Sequence, residues 1–266
     1  MIEVTRGDSP IVLGLPHTGT DVPPDAWDRL NETGRALADT DWHIHRLYDG
    51  LLEGATTVRT PVHRYVIDVN RAPDDASLYP AQNTTGLCPL TDFDGRPIYR
   101  DGQEPDAAEI ARRIDTYHRP YHEALSAELD RVRAMHGVAI LYDCHSIRSE
   151  ISFLFPGKLP DFNIGTNQSA SCAPIVERTV TQLCAAAPGY TSILNGRFKG
   201  GWTTRHYGRP ETGVHAIQME LAQSTYLASE TPPWTYSQVD GDKIRNHLSN
   251  IINALRRLVQ TGELNR

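Results

Sequence analysis

Three short segments, far apart in the chain, carry the residues best suited to chemistry. They are Leu-Pro-His-Thr-Gly-Thr around His17, Asp-Cys-His-Ser around His145 and Gln-Met-Glu-Leu around Glu220. Each histidine or carboxylate stands at or just past the end of an apolar run, where α/β enzymes gather their reactive groups. Two imidazoles and a carboxylate converging there suit a divalent metal beside a general base. Asp143 lies two residues before His145, on the same side of an expected strand, where a carboxylate fixes the tautomer of a ligating histidine. A third protein ligand is needed. Asp41 is the first candidate, because it shares an apolar helical stripe with Ile44, Leu47, Tyr48 and Leu51, and a buried carboxylate requires a partner. Asp39 and His43 are its rivals. Glu220 sits between Met219 and Leu221, so burial raises its pKa and suits it to move protons near neutrality. The plainer alternatives are a turn histidine, a buried Asp–His pair, a first-turn aspartate favoured by the helix dipole and a structural salt bridge.

Two basic segments add a substrate class. Residues 64–71, Arg-Tyr-Val-Ile-Asp-Val-Asn-Arg, place Arg64, Asp68 and Asn70 on one face of an expected strand, with Arg71 at its exit. Residues 195–208 combine glycine turns with Arg197, Lys199 and Arg205. Arginine forks hold carboxylates in a bidentate way. Such islands in a chain of formal net charge -7 point to a small anionic substrate. The same net charge speaks against a nucleic-acid partner. Neither a G-x-G-x-x-G nor a Walker pattern is present, and the G-x-S-x-G elbow of serine hydrolases is missing. His118 and His122 have i,i+4 spacing but no H-E-x-x-H around them, which favours packing over ligation.

These residues need a scaffold. Apolar runs predict strands at 11–15, at Val58 and 65–69, at 138–142, 151–155 and 214–221. Helical spacing predicts helices after Pro24, over 40–52, from Ile110 to Val132, over 175–184 and from Ile244 to Leu258. Residues 72–103 are rich in Pro, Asp, Gly and Asn and form a candidate lid. Alternating strands and helices imply an α/β fold with a mostly parallel sheet, in one catalytic domain over residues 1–266. No apolar run approaches the ~20 residues of a membrane span, and the N-terminus lacks a signal peptide's apolar stretch. A cytoplasmic protein with no membrane partner is therefore expected. Cys88, Cys144, Cys172 and Cys184 form no C-x-x-C pair and should be reduced.

Read together, Leu-Pro-His-Thr-Gly-Thr, Val-Ile-Asp-Val-Asn-Arg, Asp-Cys-His-Ser, Gly-Arg-Phe-Lys-Gly-Gly-Trp-Thr-Thr-Arg-His-Tyr-Gly and Gly-Val-His-Ala-Ile-Gln-Met-Glu-Leu resemble the N-formylglutamate amidohydrolases, over about residues 10 to 226. These deformylases finish one bacterial route of histidine breakdown and are related to zinc carboxypeptidases and aspartoacylases. The resemblance implies a single three-layer α/β domain of the carboxypeptidase-like, phosphorylase/hydrolase-like kind, with a mixed, mostly parallel sheet between helices. It implies one zinc-type ion on His17 and His145; iron, cobalt and nickel suit the same donors. It aligns Glu220 with the catalytic glutamate. Asn70 and Arg71 match an Asn-Arg pair that holds the substrate carboxylate or carbonyl, which gives Arg71 the developing oxyanion. Arg64, Lys199 and Arg205 are the candidates for gripping the two carboxylates of the substrate. The relatives take two ligands from a His-x-x-Glu pair, whereas the residue three after His17 is Thr20. The third ligand must then come from elsewhere, with Asp41 the candidate. The expected activity is metal-dependent hydrolysis of N-formyl-L-glutamate to formate and L-glutamate. The alternatives are another N-acyl acidic amino acid as substrate, or a non-catalytic module that binds glutamate-like ligands.

Overall fold

The computed structural model describes residues 1–77 and 82–264. Its strands are β1 (Glu3–Thr5), β2 (Ile11–Leu15), β3 (Thr56–Arg59), β4 (Ala139–Ile147), β5 (Phe162–Gly165), β6 (Ser192–Leu194) and β7 (Val214–Ala222). They form one sheet in the order β1-β3-β2-β4-β7-β5-β6. The central strands β3, β2, β4 and β7 run parallel, β6 runs parallel to β5, and β1 and β5 are antiparallel to β3 and β7. The helices are α1 (Pro24–Trp27), α2 (Glu32–Arg35), α3 (Ile44–Tyr48), α4 (Ala107–Arg113), α5 (Arg119–His136), α6 (Pro174–Ala185), α7 (Trp202–Tyr207) and α8 (Gln238–Gln260).

Every residue of β4 and β7 is buried, as strands covered on both faces require. Side-chain alternation divides the core in two. Ile140, Tyr142 and Cys144 of β4 join Ile217 and Met219 of β7 under α3, α6 and α8, where Leu47, Val180 and Leu248 pack. Ala139 and Leu141 join Ala216 under Tyr121, Leu125 and Leu129 of α5. By the same alternation Asp143, His145, Gln218 and Glu220 belong to the α5 face, at the carboxyl ends of their strands. The apolar part of each strand thus anchors it, and its polar end is delivered to one edge.

Three expected elements differ. The helix over 40–52 shrinks to α3, and Asp41 lies ahead of it rather than on its stripe. Residues 65–69 are turns, not a strand: Val66 N–H donates to His63 O at 2.9 Å, Arg71 N–H to Asp68 O at 3.1 Å and Asp68 N–H to Leu87 O at 2.7 Å. Local and single contacts satisfy this backbone, so its alternating pattern has no ladder to join. Residues 151–155 also turn, with Leu154 and Phe155 N–H both on Ile151 O at 2.9 and 3.0 Å. Ile151 and Phe155 pack with Phe93 and Ile147, an i,i+4 pair on one small cluster rather than a strand.

The long helix expected from Ile110 to Val132 exists but widens into a π turn over Ile114–His118. Pro120 is the physical cause. It has no N–H for the Thr116 carbonyl, and its ring would strike that carbonyl in a regular helix. Residues 72–103 hold no named helix or strand among those described, and the part at 78–81 lies outside the described residues. All four cysteines are free and buried. Among the described residues, no helix is long and apolar enough to cross a membrane.

Candidate metal centre and active-site pocket

Strand register builds the first half of the site. His145 pairs with Glu220 and Asp143 with Gln218 across the parallel β4–β7 ladder. Gly14 of β2 is opposite Asp143, and a Cβ there would come within 3.1 Å of Asp143 Oδ1, so the glycine leaves room for the carboxylate. The chain leaves β2 through Pro16, and His17 follows, buried. Its carbonyl accepts the Asp41 N–H at 3.0 Å, which ties the segment before α3 to the end of β2.

The two imidazoles face each other, with Nδ1 to Nδ1 at 3.1 Å. Their outer nitrogens rest on carboxylates: His17 Nε2 is 2.6 Å from Asp68 Oδ1 and His145 Nε2 is 3.0 Å from Asp143 Oδ2. Asn70 Nδ2 lies 3.3 Å from the same His145 nitrogen, but the nearer, charged acceptor takes the ring proton. Both Nδ1 atoms are then left as lone pairs. Asp41 Oδ2 completes the set, 3.3 Å from His145 Nδ1 and 3.8 Å from His17 Nδ1. Asp41 is held in turn by the Ser146 N–H at 3.0 Å and by Arg64 at 3.3 Å.

Three acceptors aimed at one point repel unless a positive charge sits among them. Potential ligand atoms of His17, Asp41 and His145 lie within 4.8 Å of one another, as a metal site requires. Without a metal a proton takes that place. Burial alone would lower the His145 pKa, yet Asp143 and Asp41 hold it well above its ordinary value. His17 moves the other way, lowered by burial and by Arg64. Burial would also raise the Asp68 carboxyl, but His17, Arg64 and Arg71 hold it well below the usual carboxylate range. The donor set, with an aspartate behind each histidine, fits a divalent cation. The geometry puts Asp41 against the rings. Asp39 instead accepts from Tyr65 OH and from Phe93 N–H, each at 2.8 Å, and His43 Nε2 meets the Trp234 carbonyl at 2.8 Å.

A cleft open to solvent lies over this centre. His17, His145 and Glu220 line it, together with Arg64, Asn70, Arg71, Arg197, Asn83, Thr85, Phe93 and Phe198. Burial pushes the Glu220 carboxyl up to about 8, against the pull of His145. Gln218 Nε2 donates to Glu220 Oε2 at 3.0 Å, while its Oε1 accepts the Gly201 N–H at 2.6 Å.

The glycine-rich segment contributes Arg197, Phe198 and Gly201 to the lining of this cavity. Lys199 and Arg205 are not among the described lining residues; Arg205, on α7, donates from Nε to the Gly200 carbonyl at 2.9 Å. The backbone of residues 201–203 instead holds Gln218 and Asn70: Thr203 N–H donates to Asn70 Oδ1 at 2.9 Å. A Cβ at Gly201 would overlap the Asn70 carboxamide. Among the described lining residues, the cation from this segment is Arg197, whose guanidinium donates to the Leu154 and Asn83 carbonyls at 3.1 and 2.9 Å. Sequence reasoning named Arg197 as part of the segment but chose Lys199 and Arg205 as the substrate contacts, since spacing cannot tell which cation of a turn faces inward. It also missed Gln218, whose alternation with Glu220 was a usable signal.

The same arrangement of elements occurs in known proteins. A profile of the N-formylglutamate amidohydrolase family matches residues 9–227. An N-formylglutamate deformylase of Pseudomonas aeruginosa is 51% identical over 233 residues, 87% of each chain. One of Pseudomonas putida is 47% identical over 251 residues, covering 94% of this chain and 93% of that one. The crystal structure of N-formylglutamate amidohydrolase from Ralstonia eutropha JMP134 superposes with a TM-score of 0.82 over 98% of both chains, at 24% identity, which shows the shared fold. Fold and sequence agree, and the chain belongs to the N-formylglutamate amidohydrolase family.

Proposed function

We propose that this chain is a metal-dependent amidohydrolase that cleaves N-formyl-L-glutamate to formate and L-glutamate, a step of histidine degradation, as one catalytic domain. The observation that carries the reading is the convergence of two carboxylate-backed imidazoles and Asp41 on one point beside Glu220, in a cavity walled by arginines. The names of the Pseudomonas relatives supply the substrate.

His17, Asp41 and His145 would hold the cation. When bound, a divalent ion, zinc being the first choice, polarises a carbonyl and lowers the pKa of water toward ~7. Burial raises the Glu220 carboxyl to about 8, near neutrality, where one group both accepts and returns a proton. Glu220 takes a proton from the attacking water and later gives it to the leaving amine of glutamate. Gln218 fixes which Glu220 oxygen is free for this exchange. Arg71 and Asn70 stand where charge develops on the formyl oxygen. Arg64 and Arg197 are the remaining lining cations for the substrate carboxylates. A formyl group is too small to orient a substrate, so the carboxylates must do so.

A formate-release assay tests the reading. The purified protein should release formate from N-formyl-L-glutamate, lose that activity to a chelator and regain it with added zinc. Formate release that survives full metal removal rejects the metal. Turnover of another N-acyl acidic amino acid but not the formyl compound rejects the substrate.

A further inference from the structure

Residues 69–71 lie in a part of the site that no sheet ladder holds, yet three consecutive carbonyls there each have a donor from outside the segment. His122 Nε2 lies 2.8 Å from the Val69 carbonyl, Trp202 N–H donates to the Asn70 carbonyl at 3.3 Å, and His118 Nε2 lies 2.9 Å from the Arg71 carbonyl. A carbonyl can only accept, so each ring presents Nε2–H to it. Burial keeps both imidazoles neutral, lowering His118 and pushing His122 down to about 3. They act as fixed donors rather than as charges. The Tyr207 hydroxyl lies 3.0 Å from His122 Nδ1 and 3.1 Å from the His122 carbonyl, with one hydrogen for the two. The Trp202 indole packs against both rings, with centroids 5.6 Å from His118 and 4.6 Å from His122.

Helix geometry explains the pairing. Residues four apart share one face, and the π turn at Ile114–His118 sets that face immediately before α5. π turns of this kind recur where a helix must present side chains to a functional site. Here the widened turn ends on His118, the donor to Arg71. Between the two histidine bonds sits Asn70, with its N–H on Asp68 Oδ1 at 2.8 Å and its Oδ1 held by Thr203 N–H.

We propose that His118 and His122, with Trp202 packed against them, are positioning residues that clamp the backbone of residues 69–71 and thereby aim Asn70 and Arg71 at the reacting carbonyl. The inference rests on the reading of the cavity as an amidohydrolase site. Neither histidine lines the cavity, and neither belongs to the metal cluster. Their effect passes through the carbonyls they hold.

The test compares the intact enzyme with His118→Phe/His122→Phe, which keeps an aromatic ring and removes both donors, and with His118→Gln/His122→Gln, which restores an N–H at similar reach. Formate release, bound metal, melting temperature and hydrogen exchange of the peptide covering residues 66–73 are measured on each. The Phe pair should lose roughly 10²-fold in kcat, the scale of a ~1 Å misplacement, while bound metal stays equal to that of the parent. Exchange should rise in residues 66–73 and not in β4 or α8. The Gln pair should recover most of the kcat. Unchanged kcat and exchange in the Phe pair overturn the proposal, and so does a rise in exchange spread equally over β4 and α8, which marks a general packing role. If the Phe pair does not fold, the single variants His118→Phe and His122→Phe each remove one clamp donor and are read by the same exchange criterion. Failure of the parent enzyme to release formate would reject the functional reading instead, and the exchange pattern alone would then decide the clamp.

Discussion

Two regions of this molecule build one site by different means. Strands β2, β4 and β7 deliver His145, Asp143, Gln218 and Glu220, and the exit from β2 delivers His17. These positions are dictated by ladder register and by a core buried on both faces. Residues 60–71 deliver Arg64, Asp68, Asn70 and Arg71 without a ladder. They are fixed by hydrogen bonds to individual backbone groups from α5, α7 and the 72–103 segment. On the proposed reading, the ladder half supplies the proton-transfer group and two of the three metal ligands, and the irregular half supplies the groups that orient them and the substrate. A rigid sheet tolerates the loss of one partner, whereas a segment held by single bonds moves when one is removed.

The largest effect should come from the ladder half. Glu220→Gln keeps the shape of the site and removes the proton acceptor, so kcat should fall by about 10²–10⁴-fold. Metal content should stay at the parent level. Formate release and metal analysis on one sample check both, and near-normal kcat would remove Glu220 from the proton path.

A matched pair then sets the two halves against each other. Asp143→Asn, on the ladder, and Asp68→Asn, in the irregular segment, each weaken the partner behind a histidine. Both should cost roughly 10–100-fold in metal affinity, read by competition with a chelating dye. Asp68→Asn should in addition loosen residues 68–71, because Asp68 Oδ1 also accepts the Asn70 N–H. Equal exchange in that peptide for the two variants would erase the distinction drawn here.

Smaller effects concern the walls. Arg197→Ala should raise KM about tenfold or more, the worth of a lost charge-assisted hydrogen bond, with kcat little changed. Arg205→Ala should leave KM near that of the parent, since Arg205 does not line the cavity. If Arg205→Ala raises KM more than Arg197→Ala does, the wall has been drawn on the wrong cation.

The smallest effect is on stability. In metal-stripped protein the folded state raises the Glu220 pKa from 4.5 to about 8. Between those values the folded chain keeps a proton that the unfolded chain gives up, so this carboxyl's contribution to stability falls as pH rises through that window. The melting temperature of parent minus Glu220→Gln, both stripped of metal, should therefore decrease from pH 5 toward pH 8. A flat or rising difference contradicts the burial argument.

What could be read in the sequence follows the same division. The strands at 11–15, 138–142 and 214–221, and with them His17, His145, Asp143 and Glu220, were legible because a fully buried strand needs an apolar run with a polar end. The helix ending near Val132 was legible from its period. Residues 65–69 misled, since β-branched alternation looks like a strand whether or not a partner strand exists. The pair Ile151 and Phe155 misled for the same reason. Asp41 was named for a helix stripe it does not occupy; it reaches the histidines through the His17 carbonyl and the Ser146 N–H. The roles of His118 and His122 beyond packing were not legible, because a backbone carbonyl leaves no mark in the sequence of its partner.

The central claim is that His17, Asp41 and His145 hold one divalent cation through the two Nδ1 atoms and a carboxylate oxygen. A crystal structure of the zinc-loaded protein, with anomalous scattering at the zinc edge, tests it most directly. One peak within ~2.0–2.2 Å of His17 Nδ1, His145 Nδ1 and an Asp41 oxygen is the expected result. A peak bonded to the Nε2 atoms, or a single site away from these three residues, would contradict it.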